Sequence, residues 1–307
     1  MSSALQKLPP SNSDNFEAKL GQRYKIDQVF QIISWVATFS GLVVLAILII
    51  GVLSQGLSNL SFDFLTSPPS RRPERAGIWP PFLGSIFLLL ITASVAFPIG
   101  VGSGIFLQEF ARENKLAKVI EINISNLAAV PSIIYGLLGL FVFARLLVGV
   151  TGGRSILSGG LTLALLILPV IIVATREALK AVPDSIRQAG TALGATQWQT
   201  VRNHVLPQAI PGIMTGTILA LSRAIGETAP ILVVGAAAFV PFAPELSLAG
   251  LQEPAFTALP IQIFNWVSRP QEEFHTIAAS AIIVLLIVLM LMNATAIFLR
   301  NRFQSSL

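Results

Sequence analysis

Six stretches of this 307-residue chain are apolar, and all but one are free of charge. Each is long enough to cross about 30 Å of hydrocarbon as a helix. They lie near 29–53, 82–107, 122–144, 156–175, 209–236 and 276–299. None shows the period-two alternation of a barrel strand, and open sheet edges do not survive in lipid, so the spans are helices. The pattern predicts an all-α integral membrane fold of six transmembrane helices, with both termini on one side. A polar tail, 1–28, precedes the transmembrane region 29–302, and a short tail, 303–307, follows it. The tail leads into about 25 uncharged residues, so the first span reads as an uncleaved helix rather than a secretory signal.

Breakers interrupt this pattern. Pro98, Pro131, Pro169 and Pro230 lie within or at the ends of spans. Membrane helices tolerate proline where neighbours satisfy the freed backbone groups, as transporters do, although proline is also simply commoner in such helices.

Composition agrees with the pattern. The chain is 53% hydrophobic and 11% charged, with mean hydropathy +0.75, against about 25% charged residues in soluble domains. The net charge of +5 reports orientation in a lipid membrane rather than affinity for nucleic acid. Of the 20 Lys and Arg, Arg223 lies in a span, and Arg71, Arg72, Arg75, Arg145, Arg154 and Arg269 fall on one side. The rest fall on the side of the termini, which places both termini in the cytoplasm. The cluster in "PPSRRPERAG" departs from the rule, and its prolines forbid a continuous helix. The chain has no cysteine, and its two histidines, His204 and His275, are expected on opposite sides. No metal site is expected.

Residues 176–208 form the longest polar stretch on the cytoplasmic side after the tail. Asp184 follows Pro183 and is positioned to cap a helix. Ile186, Ala189 and Leu193 then make one apolar stripe, and Gly194 stops the helix. Thr196 caps a second helix with Trp198, Val201 and Val205 on its apolar side, and Pro207 opens the fifth span. A helix of about ten residues is marginal alone. Its stripe packs on this chain, lies in the lipid interface, or inserts into a partner's groove.

The fifth run is the one that charge interrupts, in "ALSRAIGETAP". A charge at mid-bilayer costs about 2.5–3.5 kcal/mol on the insertion scale, so Arg223 and Glu227 are expected to avoid lipid. Their i, i+4 spacing puts them on one face. Three readings follow: a structural pair, a pair across an interface with a partner, or an anion path. In the last, Arg223 binds the anion, Glu227 limits its grip, and Ser222 and Thr228 add hydrogen bonds. Guanidinium suits a tetrahedral oxyanion because its paired donors match two oxygens.

Gln188, Ala189 and Gly190, then Gly194, His204, Leu206 and Pro207 have the spacing of the cytoplasmic loop motif of binding-protein-dependent ABC importer permeases. Gly194 and Leu206-Pro207 match that motif, whereas Gln188, Gly190 and His204 depart from it. "SRRPERAGI" (70–78), "NLAAVPSIIYGLLGL" (126–140), "LTLALLILPVIIVATREALKAVP" (161–183), "LSRAIGETAPILVVG" (221–235) and "LPIQIFNWVSRPQEEF" (259–274) resemble the phosphate branch of that family, the PstA type. The likeness covers about residues 60 to 302. It implies a type I ABC importer permease in a bacterial inner membrane, forming half of a pathway. It also implies that Gln188, Ala189, Gly190, Leu193, Gly194, Leu206 and Pro207 couple to an ATPase. The implied partners are a second permease of the PstC type, an ATPase pair of the PstB type and an extracytoplasmic phosphate-binding protein of the PstS type. ATP and Mg belong to the ATPase, with no cofactor in this chain.

No phosphate loop with Lys occurs; "GVGSG" (100–104) is a Gly-rich packing stretch. No nucleophile, base and metal cluster suggests an enzyme. The rival readings are a permease of the same architecture for another oxyanion, and an ATP-independent channel or scaffold.

Overall fold

The computed structural model describes residues 20–111, 115–245 and 247–304. These residues fall into two units, up to Gly51 and from Val52 onward. Helix α1 runs Leu20–Gly56, and its residues up to Gly51 are the described part of the first unit. It starts nine residues before the expected span, so residues 20–28 of the expected tail are helical, and residues 1–19 lie outside the described set. The second unit contains α2 (Trp79–Ile105), α3 (Lys115–Leu127), α4 (Ser132–Phe141) and α5 (Ile156–Lys180). Then come α6 (Asp184–Ala192), α7 (Gln197–Thr200), α8 (Leu206–Gly226), α9 (Ala229–Val234), α10 (Leu259–Val267) and α11 (Glu272–Gln304). Among the described residues five helices are long and apolar enough to span, and a bent pair makes a sixth.

Helix α5 is the axis of the second unit. Its buried residues include Leu163, Ile167, Ile171 and Leu179, and α2 and α8 pack against it. Small residues set the spacing. A Cβ on Gly100 would stand 2.7 Å from Ile171 Cγ2, and one on Gly104 would stand 2.6 Å from Thr175 Cβ. The "GVGSG" stretch therefore lets α2 lie close to α5. The hydroxyl of Thr92 donates to the Gly160 carbonyl at 3.1 Å and ties the same two helices.

Two expected spans are not straight helices. The third, 122–144, breaks between Leu127 and Ser132, and its halves meet at 102°. Pro131 lacks an N–H and disfavours helix at Val130, so the chain turns there. The fifth does not run unbroken from 209 to 236. It starts earlier, because α7 continues through a wider π-helical turn, Val201–Val205, into α8. It also stops earlier, because α8 ends at Gly226 and Glu227 is extended (φ −75°, ψ 114°). Helix α9 restarts at Ala229 with Pro230 in its first turn, where a missing N–H costs nothing.

Candidate functional site

The polar loop folds as a helical hairpin of α6 and α7. Gly194 takes φ +75° and ends α6, a conformation glycine adopts without strain. Thr196 caps α7 in a reciprocal box. Its Oγ1 accepts from the Gln199 N–H, and Gln199 Oε1 accepts from the Thr196 N–H. Pro183, not Asp184, occupies the cap position of α6, and no side chain bonds there. Asp184 sits in the first turn, where its charge suits the helix dipole, and its carboxylate meets Arg187 at 3.1 Å.

The expected stripe on α6 divides. Ile186 turns toward Leu179, Val182, Val205, Ala209 and Ile213. Ala189 and Gln188 are exposed, and Leu193 is 88% exposed. Gly190 is buried against α7. Val201 and Val205 are buried, while Trp198 is half-exposed with its ring 6.0 Å from that of Phe110. Leu206 and Pro207 lie partly buried where the loop becomes the fifth helix.

Arg187 was not singled out from the sequence, yet it has the densest bonding of the loop. Its Nε donates to Glu109 Oε2 at 3.1 Å, and its Nη2 to Glu109 Oε1 at 2.6 Å. The same guanidinium donates to the Val182 and Leu179 carbonyls at 2.9 and 3.0 Å. Glu109 lies in the π-helical turn Phe106–Phe110 that ends α2. Its bonds push the Arg187 guanidinium above its ordinary pKa, against the opposing effect of burial. A second ion pair, Arg176 with Glu121 at 2.8 Å, joins α5 to α3.

At the break in the fifth span, Arg223 and Glu227 do pair, Nε to Oε1 at 3.1 Å. Arg223 lies in the last turn of α8, where a cation complements the carbonyl end of the helix. Glu227 lies just past that turn, not mid-helix. The Arg223 side chain is 51% exposed and that of Glu227 17%. Among the described residues, neither Nη of Arg223 has a partner. Ser222 is otherwise engaged, since its Oγ lies 2.8 Å from the Ile218 carbonyl and 2.6 Å from Asn293 Oδ1 on α11. Thr228 makes no side-chain cap, and its carbonyl accepts from the Leu232 N–H at 3.0 Å. The structure thus brings Arg223 and Glu227 together, and turns Ser222 toward α11.

Residues 96–305 match the family of binding-protein-dependent transport system inner membrane components, and the chain belongs to that family. As a member it is a multi-pass permease subunit of an ABC transporter that works with a separate ATPase and a substrate-binding protein. It is 30% identical over 276 residues to the phosphate transport system permease protein PstA of Xylella fastidiosa, covering 89% of this chain and 93% of that one. The corresponding protein of Haemophilus influenzae is 31% identical over 271 residues, 88% and 92% of the two chains. The probable ABC transporter permease protein YqgI of Bacillus subtilis is 38% identical over 194 residues, 62% of this chain and 65% of that one. Among solved structures, the fold is similar to a bacterial ABC transporter involved in the import of the acidic polysaccharide alginate (TM-score 0.63, 13% identity, 92% of this chain and 98% of that one). It is also similar to the MetNI methionine ABC transporter in inward-facing form (TM-score 0.58, 20% identity, 74% and 97%).

Proposed function

We propose that this chain is the PstA-type permease of an ATP-driven phosphate importer. It pairs with a PstC-type permease, a PstB-type ATPase pair that holds ATP and Mg, and a PstS-type binding protein outside the membrane. Both termini face the cytoplasm. One observation carries the substrate reading: Glu227 holds Arg223 through Nε alone, and among the described residues both Nη groups are unpartnered. A guanidinium held in this way presents a fork to two oxygens of a tetrahedral anion. Glu227 offsets the cation, which keeps the site weak enough to release what it binds. The PstA relatives, matched along most of their length, support phosphate over other oxyanions.

The coupling side is the hairpin of α6 and α7. Leu193 and Ala189 present an apolar tip of the kind that seats in a partner's groove. ATP-driven closure of the partner moves the hairpin and shifts the spans between outward- and inward-facing states.

The test is uptake of labelled phosphate by the reconstituted four-component complex, with competitors in excess. Unlabelled phosphate suppresses the signal and sulfate does not. Equal suppression by sulfate, or uptake that persists without ATP, overturns the reading.

A further inference from the structure

The hairpin is attached to the membrane domain at more than its two chain ends. From α6, Arg187 forks onto Glu109 at 2.6 and 3.1 Å. From α7, the Gln197 side chain donates to the Glu109 carbonyl, and Trp198 lies against Phe110. All of these contacts reach one short segment, Phe106–Phe110. The Glu109 side chain is 5% exposed and that of Arg187 23%, so water competes little for the pair. The fork fixes direction as well as distance, because both carboxylate oxygens are engaged by a planar group. Arg187 also caps the carbonyls of Leu179 and Val182, at the end of α5 and in the turn after it. One side chain therefore clamps α6 to the ends of both α2 and α5.

We infer that the Glu109–Arg187 pair is a strut that makes α2 move with the hairpin, so that the force an ATPase applies at Leu193 reaches the second span directly. Both are positioning residues that touch neither phosphate nor nucleotide. The inference rests on the hairpin being the ATPase-docking element. Without the strut, the hairpin pushes only through its covalent connections to α5 and α8, and α2 lags behind. Hydrolysis then continues while transport fails. This differs from a purely local role, in which loss of the pair would lower the amount of folded protein and leave each assembled complex fully active.

The experiment uses the whole reconstituted complex and reads three quantities: ATPase retained, ATP hydrolysed, and phosphate moved per ATP. Glu109→Gln and Arg187→Gln retain the ATPase and its hydrolysis, and lower phosphate moved per ATP by about two- to thirtyfold, the range in which single residues modulate coupling between sites. The chain has no cysteine, so Glu109→Cys with Arg187→Cys gives two unique thiols in this subunit. A disulfide requires Cα atoms within about 7 Å; a short flexible bis-thiosulfonate linker accepts a longer span and replaces the ion pair. Unlinked, the double variant is uncoupled; linked, it regains at least half of the wild-type ratio. A wild-type ratio in the single variants overturns the strut. So does a linker that arrests transport, which would mean that the pair opens in each cycle. So does a loss of assembly that the linker does not repair. Leu193→Asp, measured alongside, separates the two ideas. If it retains the ATPase, the docking reading fails. If it loses the ATPase while the strut variants keep their ratio, the strut alone fails.

Discussion

Gly190 in α6 faces the side chain of Thr200 in α7 so closely that a Cβ at position 190 would stand 2.4 Å from Thr200 Oγ1 and 2.7 Å from its Cγ2. The hairpin closes at this contact. Nothing larger than hydrogen fits there without parting the helices, which gives Gly190 a role in folding that its departure from the family motif did not suggest.

Gly190→Leu therefore opens the hairpin. Overpacking of this kind costs about 1–3 kcal/mol, a cost confined to the loop. Limited proteolysis detects faster cleavage within 184–200, and the co-purified ATPase falls severalfold while the spans stay resistant. Gly194→Ala is milder, because the space around Gly194 is open and only the left-handed backbone is strained, by about 1–2 kcal/mol. Equal protease resistance in wild type and Gly190→Leu would contradict the close contact.

Leu193→Asp separates docking from folding. An exposed side chain contributes little to the isolated subunit, so thermal stability changes by less than about 0.5 kcal/mol. ATPase retention and phosphate uptake fall together. Retention at the wild-type level shows that the exposed tip faces something other than the ATPase.

Arg223 and Glu227 are distinguished by a double change. Arg223→Lys keeps the charge and loses the fork, and uptake drops. Arg223→Gln loses the charge, and uptake drops further. Because Arg223 is half-exposed, the loss of stability stays below the about 3–5 kcal/mol expected when a fully buried pair is broken. In Arg223→Gln with Glu227→Gln, abundance recovers but uptake per complex does not. Full recovery of uptake in that double variant removes Arg223 from the anion path.

Topology is read with reporters. A tag after Leu307, or within 178–205, is reached only from the cytoplasm, and one near Arg71 or Glu253 only from outside, as the basic-residue bias requires. An externally labelled C-terminus reverses the assignment.

Much of the plan was legible because it is local. Apolar runs located the spans, a glycine located the end of α6, and Thr196 located the start of α7. The i, i+4 spacing put Arg223 and Glu227 on one face of an expected continuous helix; they do meet, but with the helix ending between them. The break between them was missed because hydropathy averages over it, although Gly226 followed by Pro230 within four residues was a local sign. The 102° bend before α4 was missed for the same reason, with Pro131 as its sign. The Glu109–Arg187 pair had no sign at all. Its residues are 78 positions apart, and periodicity within one helix carries no information about which distant carboxylate an arginine will find. Ser222 was read as a possible anion donor because its partner, Asn293, lies 71 positions away.

The helix that begins at Gln197 runs to Gly226 as one 30-residue piece. Its first turn belongs to the hairpin and its last turn carries Arg223. Between Trp198 and Arg223 the rise is about 38 Å at about 1.5 Å per residue. A displacement of the lower end is therefore carried toward the guanidinium along one continuous helix. A tilt of about 5° about the lower end carries Arg223 sideways by about 3 Å, the length of one hydrogen bond. On that scale the rod is a lever, and a small rotation at its foot is enough to make or break a hydrogen bond at its head.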